Sequence, residues 1–420
     1  MASAAIVGIG NELLLGQVTN TNAAWLAQRC SELGFRVLYQ SVVGDSVSEI
    51  VQELRRLWER VELIVTTGGL GPTHDDVTVE AIAEFLGEEL QEHPIVREWL
   101  AEKARQRGQS LLERVLRQAL LPPSALPLPN PVGQAPGIWI ERNGKALLAL
   151  PGVPAEMQAI VQTTAIDHLR RLRQQLGGPT FRSITLVTAG IAEARLADLI
   201  GPPEGLLPEG VALAFLPSFW GVRLRLDVYA DSPEIAEQRL EQARQRLQEC
   251  IQPYLLGEGD VHLSRVVGEE LRRRGETLAV AESCTGGLLG AAITDIPGSS
   301  DYFLGGHIVY SNAAKIAFLQ VPPELLQRVG AVSQEVAELL AENVRRAFGA
   351  TYGIGITGIA GPGGGTPQKP VGTVWISLAT PERVSARRFV FGTDRAANRQ
   401  RSVAAALTWL YRYLKGLPEE

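Results

Sequence analysis

Little in this 420-residue sequence supports cross-links or a preformed metal cage. Its three cysteines, Cys30, Cys250 and Cys284, are far apart and odd in number. That excludes a disulfide framework and fits a reducing compartment, the cytoplasm. No C-x-x-C or H-x-x-x-H spacing offers a zinc site. The 40 basic residues form no long run and are outnumbered by 46 acids, for a net charge of −6. Direct contact with nucleic acid is therefore not expected. No apolar stretch approaches the roughly 20 residues that span a bilayer, so no membrane association is expected. Met1 to Gly10 lacks a charged segment followed by a long apolar one and reads as a first strand, not a secretion signal.

What is present is an α/β rhythm long enough for about three domains at roughly 150 residues each. Strands are expected at Ala4–Ile9, Phe35–Val43 and Val61–Thr67. Helices are expected over Asn20–Leu33, from the Ser46-x-x-Glu49 capping box to about Arg60, and over Asp75–Leu86. This alternation predicts a three-layer parallel sheet with ligands at the carboxyl ends of its strands. Further helices are expected near Pro94–Arg107, Leu111–Leu121 and Pro154–Gln175, with strands at Gly137–Glu141 and Lys145–Leu150. The expected boundaries are 1–177, a small α+β domain at 178–257 reading strand, helix, strand, strand, helix, and an α/β domain at 258–420. Gly257–Asp260 reads as the second linker. In the last domain, strands are expected at Thr277–Glu282, Gly305–Tyr310 and Tyr352–Thr357.

In the first domain, Thr66 to Thr78 (TTGGLGPTHDDVT) runs from a strand into glycines and then a helix. Backbone N–H groups freed by Gly68 and Gly69 suit a phosphate. Asp75 and Asp76 cannot bind phosphate themselves but can hold a divalent cation that does. The competing reading is a capping box, Thr73-x-x-Asp76. Glu12, Asn20, Asp45 and Glu156 fall at strand or helix ends of the same sheet edge. The expected metal ligands are Asp75, Asp76, Glu12, Asp45 and Glu156, and the expected substrate contacts are Gly68, Gly69, Asn20 and Thr73.

In the last domain, Ser283 lies at a strand-to-helix corner in Glu282-Ser283-Cys284-Thr285-Gly286-Gly287, where a nucleophilic hydroxyl is exposed. The alternatives are helix capping by Ser283 or Thr285, or Cys284 as nucleophile. The histidines offer no clear base: His262 is in a linker and His307 in a strand. Lys315, in the first turn of a helix capped by Ser311 or Asn312, can act neutral, its pKa lowered by the positive end of the helix. Tyr310, at a strand end, is placed to bridge serine and lysine. The glycine-rich loop Gly358–Gly365 lets backbone approach a ligand. Arg399 suits a phosphate, whereas Arg395 reads as a solvated charge. Backbone N–H groups around Thr285 to Gly287 are the expected oxyanion donors, with Thr357, Gly358 and Gly361 as further substrate contacts.

Three segments, Gly8–Leu14, Thr66–Thr78 and Leu150–Met157, resemble the molybdopterin-binding domain family, in the branch carried by competence-damage-inducible CinA proteins. That resemblance covers about the first 170 residues. It implies a metal-dependent (Mg, Mn or Co) ADP-ribose pyrophosphatase giving AMP and ribose 5-phosphate, with Asp76 at the family's essential aspartate. Asp75 stands where molybdopterin enzymes carry a basic residue, a departure that favours a metal site. The segments Ala281–Gly287, Tyr310–Lys315, Gly358–Gly365 and Lys369–Trp375 resemble the nicotinamide-nucleotide amidase (PncC) family over Val261–Leu414. That likeness implies hydrolysis of nicotinamide mononucleotide to nicotinate mononucleotide and ammonia by Ser283, Lys315 and Tyr310, without a cofactor. The full-length resemblance implies a KH-like middle domain and a homodimer. The alternative reading is a nucleotide-binding accessory protein in competence or recombination.

Overall fold

The structure is a computed structural model; it describes residues 2–106, 108 and 112–418. The expected helix ends at Arg107 and Leu111 lie outside the described residues. The chain packs as two compact units, Met1–Ser183 with Asp227–Leu240, and Ile184–Leu226 with Glu241–Glu420.

The first sheet contains β1 (Ser3–Ile9), β2 (Arg36–Val43), β3 (Leu63–Thr67), β4 (Leu126–Leu128), β5 (Gly137–Arg142) and β6 (Lys145–Leu150). Its order is β2-β1-β3-β6-β5-β4. The pairs β1/β2, β1/β3 and β3/β6 are parallel, while β5 and β4 add an antiparallel edge. The sheet is mostly parallel, as expected, and its antiparallel edge follows from the short Asn143-Gly144 turn, both residues with positive φ, which can join only antiparallel strands. Alternate residues of β1 enter two cores. Ala5, Val7 and Ile9 pack with Ile50 and Leu54, and Ala4 and Ile6 with Leu26 and Leu169. A strand apolar on both faces is what two covering helix layers require. The chain leaves β1 toward β2 on one side and reaches β3 on the other. The carboxyl end of β1 is therefore the switch point where such sheets open a crevice.

Several helix limits differ from those expected. The third helix starts at Thr78, not Asp75, because Asp76 closes a turn on Thr73 and the Thr78 N–H goes back to Gly69 O. Ser46 precedes its helix without capping it by side chain; its hydroxyl meets that of Ser48 instead. The expected Pro154–Gln175 helix contains a π turn at Val161–Ala165.

The middle sheet has β7 (Thr180–Thr188), β8 (Val211–Ser218), β9 (Gly221–Ala230) and β10 (Leu255–Glu258) in the order β8-β9-β7-β10. The segment read as a linker thus begins inside a strand. Gly257 and Glu258 pair with Val187 and Leu186 of β7, because an edge of the sheet is open there to receive them.

The last sheet has β11 (Leu278–Glu282), β12 (Phe303–Ile308), β13 (Tyr352–Gly358), β14 (Thr373–Ala379) and β15 (Val384–Val390) in the order β12-β11-β13-β14-β15. The first three are parallel and the last two antiparallel. Leu278 and Val280 face the core shared with helices Leu263–Arg274 and Arg395–Leu414; Ala279 and Ala281 face helix Gln334–Phe348. Here too the chain passes from β11 to one neighbour and then to the other, so Ser283 follows the switch-point strand. Among the described residues, no helix is long and apolar enough to cross a membrane.

Candidate functional site

The carboxyl end of β1 opens into a cavity of about 520 Å³. Glu12, Asn20, Asp45, Gly68, Gly69, Asp75, Asp76 and Glu156 all line it, as does Gln118. Thr73 does not; it holds Asp76 from behind, its N–H at 2.9 Å and its hydroxyl at 2.5 Å from the Asp76 Oδ2. The capping-box pair therefore does form a turn, with the carboxylate as acceptor, and still leaves Asp76 on the cavity wall. A Cβ on Gly68 would lie 2.1 Å from Ile9 O, and one on Gly69 2.2 Å from Thr78 Oγ1. Glycine is needed here to let the loop cross its own sheet as well as to bare backbone. The Gly68 N–H is spent on Leu150 O, but the N–H groups of Gly69, Leu70 and Gly71 have no acceptor among the described residues, which suits an anion. Asn20 caps its helix through Ala23 N. Asn22 donates to Thr67 Oγ1 and Gly152 O, tying the β3 and β6 ends together.

The five expected metal ligands share this cavity but form no finished centre. Among the described residues, no group of three or more His, Cys, Asp or Glu is placed to hold a metal ion. Asp45 accepts the Asn11 N–H at 2.9 Å and Glu156 the Asn130 amide at 2.6 Å. A five-carboxylate site is therefore corrected to a smaller one. Asp75 and Asp76, adjacent and beside free N–H groups, fit a hard cation of the kind that takes one or two carboxylates and completes its shell with substrate phosphate and water. Gln118 was not singled out from sequence; it arrives from a segment some forty residues past the loop and anchors it by donating to Leu70 O. No local pattern signals that.

In the last domain the expected pair is assembled. Lys315 Nζ lies 3.1 Å from Ser283 Oγ, 2.8 Å from Val309 O and 3.2 Å from Tyr310 O. Lys315 is 1% exposed and Ser283 7%. None of the three partners is charged, and burial holds the lysine pKa below its ordinary value. The expected cause, the helix terminus, gives way to desolvation. Ser311, not Asn312, caps the helix, accepting from Ala314 N. Neither Ser283 nor Thr285 caps the helix after β11; its N-cap is Gly287, without a side-chain bond. Burial pushes the Cys284 thiol up to about 12, so it stays protonated and unreactive near neutrality. His307 stacks between Phe318 and Phe348 and takes no part.

Glu282, quoted in the motif but given no role, organises the corner. It is 1% exposed and accepts N–H bonds from Gly287, Leu289 and Gly290 at 2.8–3.0 Å. Its carboxylate fills the helix N-terminus that an anion would otherwise use. This corrects the expected oxyanion donors: Gly287 N–H is taken by Glu282, and Gly286 N–H by Ser283 O. The Thr285 N–H alone of those three has no acceptor among the described residues. Thr285 is buried as a whole residue, and its side-chain hydroxyl has no hydrogen-bond partner among the described residues.

Other expectations are revised. Tyr310 lies outside β12 and is exposed; its hydroxyl accepts from Arg395 at 3.0 Å and bridges neither Ser283 nor Lys315. Arg395, read as a solvated charge, also donates to Gly361 O and so ties the tyrosine to the glycine loop. Arg399 grips Thr285 O at 2.7 and 3.2 Å, bracing the nucleophile loop. Thr357 Oγ1 is spent on Ala331 O. Gly358 and Gly361 are required by packing, since a Cβ would fall 2.7 Å from Val374 and from Val371, respectively. Gly363 faces open space.

The comparisons with known proteins divide the chain in the same sequence order. Residues 5–171 match the probable molybdopterin binding domain, 183–257 the damage-inducible protein CinA KH domain, and 260–414 the CinA C-terminal domain. A CinA-like protein of Salinibacter ruber is 44% identical over 405 residues, 96% of this chain and 97% of that one. One from Cyanothece is 43% identical over 415 residues, 98% of each. A solved structure of the protein CinA with unknown function from Thermoplasma acidophilum is 38% identical, covering 40% of this chain and 97% of that one, with a TM-score of 0.37. The chain belongs to the CinA-like protein family.

Proposed function

We propose that the chain is a bifunctional hydrolase of pyridine-nucleotide breakdown products. The observation that carries this is the buried Lys315 Nζ contact to Ser283 Oγ, with only uncharged hydrogen-bond partners on the lysine. A neutral lysine there takes the serine proton as Oγ attacks the carboxamide carbon of nicotinamide mononucleotide. Of the expected donors, the Thr285 N–H has no other acceptor among the described residues and is assigned to the oxyanion. The lysine ammonium returns the proton to the leaving nitrogen, ammonia departs, and an ester remains on Ser283. Water, deprotonated by Lys315, then releases nicotinate mononucleotide and restores the serine. Tyr310 and Arg395 stand at the rim as a linked pair that positions the substrate.

In the first domain, the cavity at β1 takes ADP-ribose, with its diphosphate against the free N–H groups of Gly69 to Gly71. A divalent cation (Mg, Mn or Co) on Asp75 and Asp76 would supply neutralisation of the diphosphate charge. Water cleavage then gives AMP and ribose 5-phosphate. Product analysis of the purified chain tests both halves. Ammonia from nicotinamide mononucleotide is expected with or without EDTA, and AMP from ADP-ribose only without it. No ammonia from the intact chain overturns the first half, and undiminished AMP in EDTA overturns the metal assignment.

A further inference from the structure

A cavity of about 690 Å³ belongs to neither site. Its walls come from the β8–β9 hairpin, β10 and the first turn of helix Leu263–Arg274. The far end of helix Leu288–Thr294 closes it, through Ala292, Asp295 and Ile296. The volume lies within the range of small-molecule pockets.

Its chemistry is polarised. Helix Leu263–Arg274 opens on the cavity with no acid in its first turn and no side-chain cap. The N–H groups of Leu263 and Ser264 have no acceptor among the described residues; those of Arg265 and Val266 go to His262 O. Ser264 lines the same wall, is 7% exposed, and its hydroxyl has no hydrogen-bond partner among the described residues. Uncapped N–H groups, a helix dipole and the idle hydroxyl of a buried serine converge on one kind of ligand, a phosphate. Arg223 and Arg265 add positive charge to the lining against the single carboxylate of Asp295. Arg223 keeps only a long 3.8 Å contact with Asp260. The opposite character comes from Trp220, Leu256 and Ile296, an apolar wall with one flat aromatic ring. Asp295 stands as an acceptor for hydroxyl groups.

We infer that this cavity is a third small-molecule site, built for a mononucleotide. Its phosphate sits on the first turn of helix Leu263–Arg274, and its base lies against Trp220. The site is separate from the Ser283–Lys315 pair and does not depend on the reaction proposed for it.

Amide hydrogen exchange on the full chain tests this locally, so that nucleotide bound elsewhere does not confuse the readout. Millimolar AMP is expected to slow exchange several-fold in both 216–223 and 261–266. Inorganic phosphate should slow only 261–266. Ser264→Asp, which suits a helix start but places a carboxylate where the phosphate binds, should abolish both effects. Arg265→Glu, at an exposed position that does not threaten folding, should weaken them. Unchanged exchange in both segments with AMP overturns the inference. So does protection of equal size in Ser264→Asp, or phosphate alone reproducing the whole AMP pattern, which would mean an anion site with no contact to a base.

Discussion

The two proposed catalytic sites occupy the same place in their sheets, the carboxyl end of a switch-point strand, yet they are finished to different degrees. At Ser283 the reacting groups already touch, buried and locked by Glu282, Arg399 and two backbone carbonyls. At Asp75 and Asp76 the acids line an open cavity with no completed centre. The difference follows from the chemistry assigned to each. A serine hydroxyl becomes a nucleophile only if its base is held beside it and kept neutral by burial. A cation site for a diphosphate needs little prebuilt geometry, because the substrate supplies part of the ligand shell.

Single substitutions can break this comparison. The largest effect is expected from Lys315→Met, which removes the base and leaves Ser283 a poor nucleophile. Ammonia release should fall on the order of 10³-fold while AMP formation from ADP-ribose is unchanged, as steady-state assays of both products will read. A smaller loss, about 10²-fold, is expected for AMP formation in Asp76→Asn, since the neighbouring Asp75 remains. Ammonia release should be untouched in that variant; a matching fall would mean that the two sites are not independent.

The smallest effect sharpens the comparison without a mutation. Only the neutral lysine can accept the serine proton, and burial lowers the Lys315 pKa. The rate of ammonia release should therefore rise with pH and level off below the range in which an ordinary lysine titrates. It should fall as pH drops and Lys315 becomes charged. A profile that keeps climbing through the ordinary lysine range would show that burial does not tune this group.

Much of this was legible in the sequence. The period of apolar residues marked most strands of both large sheets, though not the edge strand Leu126–Leu128, and the residues near their ends included Ser283, Lys315, Asp75 and Asp76. What was not legible depends on side chains that reach across the fold. Glu282 reads as the last residue of a strand, and only the turn that follows brings Gly287, Leu289 and Gly290 to its carboxylate. Arg395 and Arg399 look equivalent on one helix face, yet one holds Tyr310 and the other Thr285 O. Gln118 gave no signal because its partner, Leu70, lies 48 residues away. The glycine loop misled for a related reason. Gly358 and Gly361 satisfy close packing against Val374 and Val371, a demand that composition cannot distinguish from close approach to a ligand.

The proposed amidase chemistry stands or falls on Ser283, not Cys284, as the nucleophile. Ammonia release from nicotinamide mononucleotide is followed in EDTA for the intact chain, Ser283→Ala and Cys284→Ala, with thermal melts to confirm that each is folded. The expected result is full activity in the intact chain, near-full activity in Cys284→Ala, and only background release in Ser283→Ala. Activity that survives in Ser283→Ala but vanishes in Cys284→Ala would contradict it.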